Sequence, residues 1–128
     1  MSYYFAKTLP NLDVDQAVAR VTEALKADGF GVLTTIDVKE TLKAKVGADF
    51  RPYRILGACN PPLAHQALQS EEHIGLMLPC NVVVQEKDGG VEVSAIDPVA
   101  SMQAIDNPSL GGIAGQVRER LRKIIEGL

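Results

Sequence analysis

The chain carries two cysteines and two histidines, and all four fall in one stretch: Cys59, His65, His73 and Cys80. Three chemistries can be written for such a set. Two thiols that meet in space can exchange with a disulfide, one attacking and the other resolving. Two thiolates and two imidazoles can close a tetrahedral zinc shell, although the spacing Cys-x5-His-x7-His-x6-Cys contains none of the close ligand pairs usual in structural zinc sites. The third reading is structural: a free cysteine behaves as a small apolar side chain and is among the residues most often buried. There is no Cys-x-x-Cys, no Gly-x-Ser-x-Gly nucleophile turn and no phosphate loop.

The elements that must position these groups can be read from the flanking residues. Tyr53-Arg54-Ile55-Leu56 is strand-like and is expected to end at Gly57-Ala58. Asn60 is a good helix N-cap, because its side-chain oxygen can accept a first-turn amide, and Pro61 suits the first helical position, where no N–H is needed. Leu63, Ala64, Ala67 and Leu68 give that helix a short apolar face. Cys59 is therefore expected just ahead of the positive end of a helix dipole, a placement that can lower a thiol's pKa. Ile74 to Met77 reads as a short buried segment. Pro79 then marks the entry to a β-rich run that starts at Cys80. The site predicted from these residues, for a ligand or for thiol chemistry, is Cys59, Asn60, Pro61, Pro79 and Cys80, with Cys59, His65, His73 and Cys80 as the metal alternative.

Gly57-Ala58-Cys59-Asn60-Pro61 and Leu78-Pro79-Cys80, preceded by Gly29-Phe30-Gly31-Val32 and Ile36-Asp37-Val38, resemble the motifs of domain-of-unknown-function family 302 in their order. The resemblance implies a small α+β domain in a TATA-binding-protein-like arrangement, a curved antiparallel sheet with two packed helices, and a homodimer. It brings no activity with it. The two motif cysteines map onto Cys59 and Cys80; the histidines are not carried over.

Along the rest of the chain, Tyr3 to Ala6 predicts a first strand closed by Pro10-Asn11. Asp13 and Gln16 predict a capping box, followed by a helical stripe of Val14, Val18, Val21 and Leu25 that stops at Asp28-Gly29. Phe30 to Ile36 is strand-like. Its glycines precede a strand rather than follow one, so they are not a dinucleotide fingerprint. Asp37 and Glu40 predict a second capping box, with Val38, Leu42 and Val46 on one face. Asn81–Glu86 and Val91–Ile96, joined by Lys87-Asp88-Gly89-Gly90, predict a hairpin. Val99 to Ala104 is a weak helical piece. Asn107-Pro108 should open a last helix carrying Ile113, Val117, Leu121, Ile124 and Leu128 inward. Its glycine-dense start, Leu110 to Gly115, predicts close packing on the sheet or on a second subunit. Asp37 and Asp97 could line one rim of the sheet as an acid–base pair, but Asp is also the expected residue for caps and turns, and that reading is preferred.

At 128 residues the chain fits one domain, residues 1–128, able to bury a core without a staple. A net charge of −3 argues against a nucleic-acid partner, which needs clustered positive charge. No apolar run approaches the ~20 residues that span a bilayer, so no membrane association is expected. The first residues lack the basic-then-apolar pattern of a secretory leader, which makes a cytoplasmic location and free thiols the expectation. The class is α+β: a curved, mainly antiparallel sheet with two long helices packed on one face. Function is expected to be that of a homodimeric binding or interaction domain without a cofactor, taking a small apolar ligand on the concave sheet face. The alternative is a thiol-redox or zinc-handling protein using Cys59 and Cys80. Whether the chain is an enzyme stays open.

Overall fold

A computed structural model describes residues 2–128. Five strands form one antiparallel sheet: β1 (Tyr4–Pro10), β2 (Gly31–Asp37), β3 (Tyr53–Cys59), β4 (Cys80–Lys87) and β5 (Gly90–Ile96), in the order β1-β5-β4-β3-β2. The helices are α1 (Val14–Ala27), α2 (Val38–Val46), α3 (Pro61–Ser70), the short α4 (Pro98–Ser101) and α5 (Leu110–Glu126). The α+β expectation holds. The long helices α1 and α5 carry the residues that cover one face of the sheet.

Local chemistry explains most boundaries. The α1 capping box forms in full: Gln16 N donates to Asp13 Oδ1 at 2.8 Å and Asp13 N donates to Gln16 Oε1 at 3.0 Å. At α2 only half of the expected box forms. Glu40 N donates to Asp37 Oδ1 at 2.9 Å, and the Thr41 hydroxyl donates to the Asp37 carbonyl. The hairpin turns on Asp88-Gly89, both at positive φ (49° and 79°), the pattern that suits two-residue connections between twisted strands.

Strand alternation sends Leu56, Val82, Val84, Val91 and Val93 to the helix-covered face, where Val21 and Leu25 of α1 and Leu121 and Ile125 of α5 meet them. A second cluster lies beyond the end of the sheet. Ala67 of α3, Ile74 and Leu110 are buried there, with Leu78, Met102, Ile105 and Ile113 packed against them.

Three expectations need correction. Ile74–Met77, expected to be buried, is a 3-10 turn in which Ile74 alone is buried and Leu76 is 85% exposed. β3 does not stop at Gly57-Ala58 but runs through Cys59. The last helix begins at Leu110 rather than at Asn107-Pro108: Asn107 Oδ1 accepts from the Ser109 amide and hydroxyl, while its Nδ2 donates to the Ser70 carbonyl at 2.8 Å, tying the end of α3 to the start of α5.

Candidate functional site

β3 and β5 run in the same direction, and β2 and β4 run against them. One rim of the sheet therefore collects the end of β3, the end of β5 and the starts of β2 and β4. The motif residues of four segments meet there: Phe30 before β2, Ala58-Cys59 on β3, Pro79-Cys80 on β4, and Asp97-Pro98 after β5. The same topology separates Asp37 from Asp97, because β2 and β5 are antiparallel in sense and end at opposite rims. Each is a cap: Asp37 for α2, and Asp97 for α4, accepting from Val99 N at 2.9 Å.

Over this rim α3, α4 and α5 close a small apolar pocket. Its walls are Leu63, Ala64 and Ala67 of α3, Met102 and Pro98 beside α4, and Ile113, Ala114 and Val117 of α5, with Phe30, Leu78, Pro79, Cys80 and Ala58 from the sheet side. Cys59 and Asn60 complete it. Its volume is about 30 Å³, room for a few atoms or a couple of waters. Of the residues singled out from the sequence, Cys59, Asn60, Pro79 and Cys80 line this pocket and Pro61 does not.

Asn60 is buried. Its Oδ1 accepts the Leu63 amide at 3.3 Å, the cap expected of it, and Pro61 follows at the first helical position. Cys80 lies opposite Ala58 in the β3–β4 ladder, so Cys59 is the next residue along rather than its direct partner. Cys59 is half-buried and Cys80 buried, and both are free thiols. Burial pushes the Cys59 thiol up. It pushes Cys80 further, to about 11, with the neighbouring Cys59 adding to the rise. The dipole at the α3 N-terminus acts on Cys59 in the opposite direction.

The two imidazoles stand apart from this arrangement. His65 is exposed on α3, and His73 is exposed in the loop, 3.9 Å from carboxylate oxygens of Glu71 and Glu72. Among the described residues no three His, Cys, Asp or Glu side chains gather into a group able to hold a metal ion.

Two features of the site were not read from the sequence. Arg118 of α5 donates from Nε to Asp97 Oδ2 at 3.1 Å and lies over the Phe5 ring at 5.4 Å. Asp97 caps α4, so this contact joins the α4 and α5 walls. The spacing of Asp97 and Arg118 along the chain gave no signal of it. The other face of the sheet holds a larger hollow of about 380 Å³, lined by Tyr3, Tyr4, Tyr53, Asn81, Gln85 and Glu92 among others. Its lining is rich in hydroxyls and amides, so an apolar molecule would displace water from polar groups there.

A family model described as "Domain of unknown function DUF302" matches residues 5–128. The chain belongs to this family. Its fold is similar to that of a solved structure described as an uncharacterized conserved protein DUF302 from Bacillus stearothermophilus, with a TM-score of 0.90, 30% identity and 98% of each chain covered. No curated protein matches the chain. No helix among the described residues is long and apolar enough to cross a membrane.

Proposed function

We propose that this protein is a cytoplasmic, homodimeric binding domain that takes a small apolar ligand, or the apolar end of a longer one, in the pocket beside Cys59 and Cys80. The observation that carries this reading is the lining. Three helices and four strand ends converge on one rim and present aliphatic carbon there, with the two thiols and the Asn60 side chain as the polar exceptions. Ligand sites are concave and mostly apolar, with a few fixed polar groups. The expectation of a ligand on the open sheet face moves to this pocket, because the hollow on the open face mixes apolar side chains with hydroxyls, amides and a carboxylate, whereas the pocket walls are almost wholly apolar. Met102 and Leu78 supply walls that can adjust, methionine more readily than most side chains.

Xenon tests the reading as a compact apolar probe. Methyl NMR of the full chain under xenon should shift Ala64, Ala67 and Ala114 together. The shifts should disappear in Ala114→Leu, which fills the space. Shifts confined to Val83 and Ile96 on the open face would refute it.

A second reading, thiol chemistry, is favoured by one observation: Cys59 is half-exposed at the same pocket that Cys80 lines from inside. Glutathione disulfide is the oxidant that tests it. The Cys59 thiolate would attack it, releasing one glutathione thiolate and leaving a mixed disulfide. Cys80 would then displace the second glutathione as the internal disulfide forms. Mass spectrometry should show the mixed disulfide and then a species two hydrogens lighter than the starting protein. A mixed disulfide that persists sinks the resolving role of Cys80. Zinc would enter this reading only with ligands shared between two copies.

A further inference from the structure

We propose that the pocket takes a short aliphatic carboxylate, its tail among the alanines and its head held by Asn60 Nδ2 and Arg120. The inference rests on the apolar-ligand reading above and names the class of ligand.

Asn60 does two things. Its Oδ1 caps α3 through the Leu63 amide at 3.3 Å. Its Nδ2 has no hydrogen-bond partner among the described residues, although Asn60 is only 7% exposed and lines the pocket. A donor so placed costs free energy until something accepts from it. Among the described residues no side-chain nitrogen or oxygen fully closed off from solvent lacks a partner, so Nδ2 opens onto space that a ligand atom can reach. Serine, threonine or aspartate would also serve as the cap; the spare amide donor is what asparagine adds.

A cation stands at the same place. Gly29 has a φ of 80°, and a β-carbon on it would lie 3.4 Å from Asn60 Nδ2 and 3.9 Å from Arg120 Nη1. The two donors thus flank one gap, next to Phe30 of the pocket wall. The other arginines of α5 are engaged, Arg118 with Asp97 and Glu119, and Arg122 with Glu119 and Glu126. Arg120 is exposed and forms no ion pair among the described residues. The α3 terminus adds no free amide: Pro61 and Pro62 have no N–H, and the Leu63 and Ala64 amides donate to Asn60 Oδ1 and the Asn60 carbonyl. Side chains therefore supply the donors, and a guanidinium with one amide suits the two oxygens of a carboxylate. Burial raises the Cys59 thiol from its ordinary value, so near neutral pH it sets no negative charge beside the head group. A volume of about 30 Å³ limits the tail to a few carbons.

Titration of the full chain with sodium butyrate at fixed ionic strength, followed by methyl and side-chain amide NMR, tests the assignment. Butyrate should shift the Ala64 and Ala114 methyls and the Asn60 side-chain amide together. Arg120→Gln, a change at an exposed side chain, should weaken butyrate by about tenfold or more and leave the xenon shifts unchanged. Butan-1-ol, with the same tail and no charge, should bind wild type and Arg120→Gln alike. Asn60→Asp keeps the cap oxygen, removes the donor and should abolish butyrate binding; if that variant fails to fold, Arg120→Gln decides. Absent butyrate shifts in a pocket that xenon still enters would overturn this inference alone. Butyrate binding indifferent to Arg120→Gln would overturn the head-group assignment. A pocket that answers neither probe would overturn the apolar-ligand reading as well.

Discussion

Gly57 and Pro79 approach so closely that a β-carbon on the glycine would stand 2.6 Å from Pro79 Cγ and would also overlap the Thr34 hydroxyl oxygen. The absent side chain is what lets the β4 entry, which carries Pro79 and Cys80 into the pocket wall, lie against β3.

Gly57→Ala is therefore expected to destabilise the fold by about 1–3 kcal/mol, the usual cost of overpacking a filled interior. Gly111→Ala is the contrast. It sits in α5 with nothing within 4 Å of its would-be β-carbon, and alanine should stabilise by about 1 kcal/mol. Urea unfolding of both variants checks the pair; equal effects would mean that the Gly57 contact is not limiting.

Removing Arg118 leaves the Asp97 carboxylate in a largely buried place without its counter-charge. Because the guanidinium is itself 36% exposed, Arg118→Met is expected to cost about 1–3 kcal/mol rather than the larger penalty of a fully buried pair. Asp97→Asn should cost less, since it keeps an oxygen for the Val99 amide and discards the charge. Thermal unfolding of the two variants gives the order, and the reverse order would contradict it.

Stability should fall at high pH through Cys80. Its thiol rises from 9.0 in the ordinary case to about 11 in the fold. The folded state thus holds the proton more tightly than the unfolded chain. The contribution is complete below pH ~9 and is lost as pH climbs through ~11, amounting to roughly 2–3 kcal/mol. The unfolding free energy of the wild type should converge toward that of Cys80→Ala between these limits. Parallel pH profiles would show that Cys80 titrates as an exposed thiol.

Iodoacetamide at pH 8 should label Cys59 before Cys80, because one is half-exposed and the other buried, and Cys80 should react at the rate of local opening. Peptide mapping of partly labelled protein gives the order. Simultaneous labelling would mean that the pocket is open to solvent on both sides.

Much of the fold was legible because its signals are local. Asp13 with Gln16, Asn60 with Pro61, and Asp88-Gly89 each dictate a backbone conformation over a few residues. The turn at Ile74–Met77 was misread because so short an apolar run has no period to show which residues face inward: Ile74 is buried and Leu76 is exposed. The start of α5 was misplaced because the Asn107 side chain makes its bonds to Ser70 and Ser109 instead of capping the helix directly. The glycines at Gly111, Gly112 and Gly115 were read as close packing, yet within the chain they face open space. The site itself was legible as a stretch of residues but not as a volume: Arg118, Ala114 and Met102 reach the rim from segments far along the chain, and only the strand order brings them there.

The most direct measurement is a crystal structure of the full chain under xenon pressure. A xenon atom between Ala64 and Ala114, within van der Waals reach of Cys80, is the predicted result. Xenon bound only on the open face beside Tyr53, or an empty pocket at pressures that fill apolar cavities of this size, would contradict the account.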